Sequence, residues 1–455
     1  MKRSRIFIQG LALLIAIWSI STSPGRAQPP VISLTYYGIT WTFGSPVVTG
    51  TFADGEPWVV GPVTITDINP SSAHGDATNN GSMVNPVPVP VVFGTFSGQG
   101  FTSGYTAYVW NLEYVPSLNV SLSLPITLSA SNTLVSSLTQ DLNNQCVIET
   151  VALTVLSVVP PAGCFRPPVY GHIDKSIKFH ISQINTSFLP SFTPTSFAPS
   201  SSAIQAILPA LPWVELVDSF YGGTFAPCQN EATGIIGTTG FQSTYGREIA
   251  FKWGEVGLWL CLNENPAIKQ QSIIQTIQDG IDIAGFLDAG GGFTADGGNR
   301  CGRKFPVLFA ACALNDPHLL SLANQANLFQ EDQQTFLVQQ SDVGRPVNPP
   351  GTTYTQSMVG IPDWGIKHSF APQDDDSRYY NGVAYRFVVW PAMLGPSLAA
   401  DLMGLRSKWG PVAIFDYNQR YAILSGIPTN TFWGQMWSTY RKSPAPPQNV
   451  HFGGQ

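Results

Sequence analysis

Two periodicities divide the chain. From Val31 to Phe43 the second half of the run alternates apolar and polar residues, and Glu56 to Ile68 continues in the same style. Between Asn119 and Leu128, the residues Val120, Leu122, Leu124, Ile126 and Leu128 alternate mostly with small polar ones. Such alternation turns one face of a strand to a core and the other to water. The β-branched run Val147–Val159, interrupted by Glu149 and ended by Pro160-Pro161, predicts a buried strand. Turn signals stand at Asp54-Gly55, Asn80-Gly81 and Ser103-Gly104. Short strands at this spacing predict an antiparallel β-sandwich over residues 28–160.

From about residue 205 the period becomes helical. Ile249, Trp253, Val256 and Leu260 fall on one face of a helix over Glu248–Asn263, and Ile273, Ile274, Ile277, Ile281 and Ala284 on one face of Ala267–Leu287. Phe305–Leu314 follows. Asn315-Asp316-Pro317 then places a polar cap before a proline at the first helical position. Trp390–Leu405 and Pro411–Leu424 supply later helices, and 325–389 reads as mostly irregular with short strands. Consecutive helix pairs joined by polar loops predict an α/α-toroid-like domain or a bundle over 206–425, with 426–455 as a C-terminal tail. Between the halves, Pro160-Pro161, Pro167-Pro168 and the Ser/Thr/Pro-rich Ser191–Ser202 predict an extended or wrapping connector, 161–205. The expected fold class is therefore multidomain β + α.

The first 27 residues have a different character. Lys2, Arg3 and Arg5 precede an apolar run from Ile6 to Ile20, and Gly25-Arg26-Ala27 puts small residues at −3 and −1 of a cut after Ala27. This layout predicts a cleaved signal peptide and a secreted, periplasmic or cell-surface location. The run is shorter than the ~20 residues a membrane span needs, so no integral membrane segment is expected after cleavage. Cleavage removes four basic residues and no acid, taking the formal charge from −6 to −10. Charged residues are 11% of the chain, against about 25% in ordinary domains. The 43 glycines and 37 prolines point to many turns. A nucleic-acid partner is not expected, because the balance is not basic. Of six cysteines, Cys146 and Cys164 bracket the Val147–Val159 strand as a candidate disulfide, and Cys261 and Cys312 read as buried thiols. No Cys-x-x-Cys exists to suggest zinc or redox chemistry.

Against so sparse a charge background a few clusters stand apart. Tyr245-Gly-Arg247-Glu248 opens a helix; Tyr245 could transfer a proton and Arg247 hold a carboxylate, or Glu248 could simply favour the helix N-terminus. The loop Gly290–Lys304 collects Asn299, Arg300, Arg303 and Lys304 among glycines. It lacks the Lys-Ser/Thr of a P-loop, so it reads as an anion-binding loop or a solvated turn. His368, beside Trp364 and Lys367, is the histidine best placed for acid–base work. Tyr385, Arg386 and Trp390 suit sugar stacking and hydroxyl recognition, or a core strand. Asp374-Asp375-Asp376 could offer oxygens to Ca²⁺, but the run lacks a loop motif; no metal or other cofactor is expected. Asp416 and Arg420 stand at i, i+4 and can pair, with Tyr417 and Tyr421 on one face. Gly-x-Ser-x-Gly and His-Glu-x-x-His are absent.

Tyr245-Gly-Arg247, the Asn299/Arg303 loop, Trp364…His368 and Trp409…Phe415-Asp416-Tyr417…Arg420 resemble the helical-toroid part of secreted bacterial polysaccharide lyases of the alginate-lyase and heparinase type, over about half the chain. The resemblance implies β-elimination at a uronate. Asn299 and Arg303 would neutralise the carboxylate, and His368 and Tyr245 would serve as base and acid in either order. Arg247, Arg300, Lys304, Trp364, Tyr385, Arg386 and Tyr417 would contact the polysaccharide, with Tyr417 or Tyr385 able to replace Tyr245. A non-catalytic glycan-binding or surface protein, and a glycoside hydrolase, are the alternatives. The lyase reading expects Tyr245, Asn299, Arg303 and His368 to converge in one cleft.

Overall fold

The computed structural model describes residues 28–74, 79–86, 116–141, 146–171, 174–207, 246–295, 298, 300–347, 352–365 and 383–441. The expected signal peptide, the Ser103-Gly104 turn, Cys228 and the Asp374–Asp376 run lie outside them.

The N-terminal part is built of strands β1 (Gln28–Tyr36), β2 (Ile39–Thr51), β3 (Pro57–Val60), β4 (Val63–Asn69), β5 (Ala73–His74), β6 (Asn79–Val84), β7 (Ile126–Leu128), β8 (Thr133–Asp141) and β9 (Cys146–Leu156). The expected two-sheet sandwich is instead one nine-stranded sheet of order β5-β6-β8-β9-β3-β2-β4-β7, with β1 paired on β2. The β3–β9 pair is parallel and the others are antiparallel. The first half of β2 pairs β4 and its end pairs β3, so one long strand serves these two as well as β1.

Trp41, Phe43, Val59, Ile65, Leu128, Leu134, Val151 and Val155 share one core. They come from six strands of a single sheet, which must therefore curl round them as a half-barrel. The Trp41 indole N–H donates to Ser136 Oγ at 3.1 Å, linking β2 to β8, with two strands between them in the sheet order. Met83, Val135 and Ala152 join the helical core instead. Strand β9 is thus apolar on both sides, which accounts for its unbroken hydrophobic run.

Two local expectations change. Val120–Ser123 is a 3-10 turn, and only Ile126–Leu128 of that alternating run is a strand. Asn119 Oδ1 accepts from Ser121 N at 3.2 Å and from Ser82 N at 3.1 Å, so a side chain supplies the bonds that a ladder would have made. Asn80-Gly81 sits inside β6 rather than in a turn.

The helices are α1 (Ser201–Ile207), α2 (Gly246–Leu260), α3 (Pro266–Asp288), α4 (Lys304–Leu314), α5 (Pro317–Ala323), α6 (Gln330–Gln334), α7 (Val383–Leu402), α8 (Ala413–Ser425) and α9 (Phe432–Tyr440). Asn265 and Asp316 cap α3 and α5 ahead of prolines. Helix α3 packs on α4, but α2 packs mainly on α7, far along the chain, so the described helices are not simply successive hairpins around a ring. The α2–α7 crossing is close because it is glycine on glycine: a Cβ on Gly254 would lie 2.9 Å from Gly395 Cα. Short hairpins pair Thr335–Leu337 with Pro362–Trp364 and Pro346–Val347 with Thr352–Thr353. Among the described residues no helix is long and apolar enough to cross a membrane.

The connector wraps over the helices. Asn185 N donates to Ala313 O at 2.7 Å and Phe192 N to Cys261 O at 2.9 Å. The expected tail carries α9, whose Tyr440 stacks on Phe192 at 4.3 Å.

The suggested Cys146–Cys164 disulfide does not form; Cys164 is a buried free thiol, as are Cys261, Cys301 and Cys312. Cys146 starts the 11-residue β9, which at about 3.3 Å per residue separates it by some thirty ångströms from Leu156, the residue beside which Cys164 packs.

Candidate functional site

The cations singled out by their clustering are inside the protein: Arg303 and Lys304 are 0% exposed, Arg300 and Arg247 4%. Helix α6, with the acids Glu331 and Asp332, receives Lys304 and the backbone of the loop. Lys304 Nζ pairs with Asp332. It also lies 5.0 Å from the Trp409 ring and 5.4 Å from that of Phe329. The Trp409 indole N–H donates to Asp332 Oδ1 at 3.0 Å. Gly302 N donates to Glu331 Oε1 at 2.7 Å, and Arg300 N to Gln330 Oε1 at 2.9 Å. Arg303 donates to Cys301 O at 2.9 Å and lies 5.6 Å from the Phe293 ring. Gly302 has φ +94° and a Cβ there would lie 2.6 Å from Ala250 N, so the loop rests directly on the α2 backbone. Burial pushes the Asp332 carboxyl up to about 7 although Lys304 opposes it, raises Glu331 and lowers Lys304. This loop locks α2, α4 and α6 together, and its matched cations are held in the interior.

Tyr245, Asn299 and His368 lie outside the described residues. Their described neighbours do meet. Arg247 N donates to Gly298 O at 2.9 Å, Arg300 N reaches Gln330 on α6, and Gly365 N donates to Gln334 O, also on α6, at 3.1 Å. Arg247 pairs with its neighbour Glu248. Trp364 and Tyr417 are buried and both touch Trp390, with ring centroids at 6.2 and 4.4 Å, as a core aromatic cluster does. Tyr385 and Arg386 fall in α7, with side chains outside the described set. Asp416 and Arg420 do not pair with each other: Asp416 pairs with Arg406, and Arg420 with Asp363 at 3.2 Å. Asp363 also accepts from the Tyr354 hydroxyl at 2.9 Å.

A second buried polar cluster joins the half-barrel to the helices. Arg166, from the connector, grips Asp282 of α3 through both terminal nitrogens, at 2.7 and 2.5 Å, and Glu56 of the β2–β3 turn through Nε. Gln278 brackets the Arg166 backbone, accepting from its N–H at 2.9 Å and donating to its carbonyl at 3.2 Å. Lys175 donates to Pro168 O and Tyr170 O at 2.6 and 2.9 Å. Burial raises Glu56 to about 8, with Arg166 opposing and Asp54 and Asp282 adding to the rise. Asp54 and Asp279 are raised too, mainly by burial, and burial with the Arg166 charge brings Lys175 down to about 7. One guanidinium faces four carboxylates, Asp279 and Asp282 buried and Asp54 and Glu56 half-buried, and cannot neutralise them all. Among the described residues no group of His, Cys, Asp and Glu could hold a metal ion.

The remaining candidate is open to solvent. Where the connector crosses α9, a cleft of about 330 Å³ is lined by Pro194, Thr195, Ser196, Thr429, Gln435, Ser438, Thr439 and Tyr440. Thr431 caps α9 and presents Gln435 toward the connector. There Gln435 Oε1 accepts from Ser196 Oγ and Phe197 N, each at 3.2 Å. The Tyr440 hydroxyl donates to Thr193 O at 2.5 Å, fixing its ring against Phe192. Thr195 Oγ1 is shielded from water and makes no hydrogen bond. The lining is hydroxyl, amide and one aromatic, without a charge. The sequence signal was the spacing Phe432, Met436, Tyr440, one apolar stripe of a helix.

No protein family, no curated protein and no solved structure matches the chain.

Proposed function

We propose that this is an exported glycan-recognising protein that takes an uncharged sugar in the Thr195–Gln435–Tyr440 cleft. The observation carrying this reading is the chemistry of the lining: neutral donors and acceptors around an aromatic ring match sugar hydroxyls and a sugar's apolar face. The volume suits a small ligand. The test is electrophoresis through gels containing a neutral or a uronate-rich polysaccharide. Retardation by the neutral polymer is expected; retardation only by the uronate polymer would overturn the reading.

A second reading, β-elimination at a uronate with Tyr245 and His368 as acid and base and Asn299 toward the carboxylate, is favoured by the meeting of their described neighbours around α6. It draws no support from Arg303 or Lys304, whose charges are enclosed. Incubation with alginate, heparin and chondroitin tests it through the ultraviolet band of an unsaturated uronate. Full activity in both His368→Ala and Tyr245→Phe would sink this assignment.

A further inference from the structure

The connector and α9 lie side by side in a fixed order. The Tyr440 hydroxyl donates to Thr193 O. Gln435 exchanges hydrogen bonds with Ser196 Oγ, accepting at 3.2 Å and donating at 2.9 Å, and accepts from Phe197 N. The connector therefore runs from the Tyr440 end of the cleft to the Gln435 end. Tyr440 stands five residues beyond Gln435 on α9, so the two ends are about 7.5 Å apart along the helix axis. That span is longer than one pyranose ring.

At the Tyr440 end a ligand meets a single aromatic face. Phe192 covers the other face of Tyr440, with the ring centroids 4.3 Å apart and the planes 11° apart. At the Gln435 end, Phe197 follows directly on the lining residue Ser196. Phe188, Leu189, Phe192 and Ala198 pack on the helical core, whereas Phe197 is left 49% exposed. Its backbone is held nonetheless: its N–H is bound by Gln435, and Ala198 N donates to Thr195 O at 3.0 Å, closing a turn around Ser196 and Phe197. A ring carried on a fixed turn, with two side-chain torsions, loses little conformational freedom when it is covered. Singly exposed apolar residues are ordinary; this one stands at the end of a cleft that holds another aromatic ring.

The surroundings favour an uncharged occupant. Neither the stretch Phe188–Ser202 nor α9 contains an Asp, Glu, Lys, Arg or His. Arg441, the first charge beyond α9, is turned away: its side chain is 5% exposed, pairs with Asp401 at 3.2 Å and covers the Trp437 ring at 4.0 Å. Ser438 Oγ donates to Gly434 O at 2.8 Å, so together with the Tyr440 and Gln435 bonds much of the donor capacity of the cleft is spent within the protein. A single sugar would meet one ring face and few donors. A chain of sugars reaching Phe197 would meet a second ring.

We propose that Phe197 is a second stacking subsite beyond the Gln435 end of the cleft, so that the site takes a neutral, linear oligosaccharide of at least two residues in preference to a monosaccharide. The proposal rests on the neutral-glycan reading of the cleft and adds the length of the ligand and the residue that selects it. It is tested by isothermal titration of the purified protein with glucose and with the cello- and laminari-oligosaccharides of two to four residues, on wild type, Phe197→Ala, Phe197→Tyr and Tyr440→Ala, with circular dichroism checking the fold. In at least one series the affinity is expected to rise about tenfold from glucose to the trisaccharide. That gain is expected to disappear in Phe197→Ala and to be kept in Phe197→Tyr, which retains the ring. Equal affinity for glucose and the trisaccharide, weakened in Tyr440→Ala, would overturn the subsite and leave the cleft reading standing. A gain with length that survives in folded Phe197→Ala would also overturn it. Absence of binding by every member of both series would overturn the subsite and the cleft reading together.

Discussion

A guanidinium without exposed surface is tolerated only when its charge and its donors are matched. Arg166 meets both needs through Asp282, Glu56 and the Pro167 carbonyl. Arg166→Met strands two buried acids, so urea unfolding should show a loss of about 3–5 kcal/mol; a loss under about 1 kcal/mol would contradict the clamp. Cys164 makes a simpler case. Burial pushes its thiol up to about 11, so maleimide should label it only after denaturation, and a Cys146–Cys164 linkage in a non-reducing peptide map would contradict the structure. The sequence exposed which residue types were unusual, but not their partners. Lys304 meets Asp332 28 positions away and Arg166 meets Asp282 116 positions away, and no local pattern encodes such pairings. Clustered cations in a charge-poor chain pointed to a real feature, but it is an internal lock rather than a charged surface.

At the level of elements, periodicity placed most helices and the buried strand correctly, because one apolar face or run suffices to define each. It missed α9, whose stripe is only nine residues long, and it misjudged Val120–Ser123, where a capping Asn competes with the ladder. Alternation tells which side of a strand is buried, not which strand lies beside it, so a curled single sheet and a two-sheet sandwich read alike. The α2–α7 crossing depends on the absence of side chains at Gly254 and Gly395. Gly254→Val should lower stability by about 1–3 kcal/mol through overpacking. Gly292→Ala, where a Cβ would meet only Leu328 at 3.9 Å, should stay within about 0.5 kcal/mol. Equal effects of the two substitutions would contradict the crossing.

For the whole molecule, the raised carboxyls at the junction and beside Lys304 set a pH dependence. Glu56 titrates near 8 when folded against an ordinary 4.5, and Asp332 near 7 against 3.8. Between those limits the folded protein holds protons that the unfolded chain releases. Stability from this source is full below about pH 4 and is lost as pH rises toward 8. Lys175, lowered to about 7 from 10.5, works in the opposite sense above pH 7. The melting temperature should therefore fall from pH 5 to pH 7, and Glu56→Gln should flatten that fall; a melting temperature rising over this interval would contradict the assigned shifts. The same distribution of charge bears on function: the ion pairs of both clusters are drawn inside, while the cleft is lined by neutral hydroxyl and amide groups. Isothermal titration of the purified protein with neutral and uronate oligosaccharides tests glycan recognition most directly. Saturable binding of a neutral oligosaccharide, weakened at least tenfold in Tyr440→Ala with the fold retained, is the predicted result. Absence of saturable binding to any neutral sugar, or unchanged affinity in that variant, would contradict it.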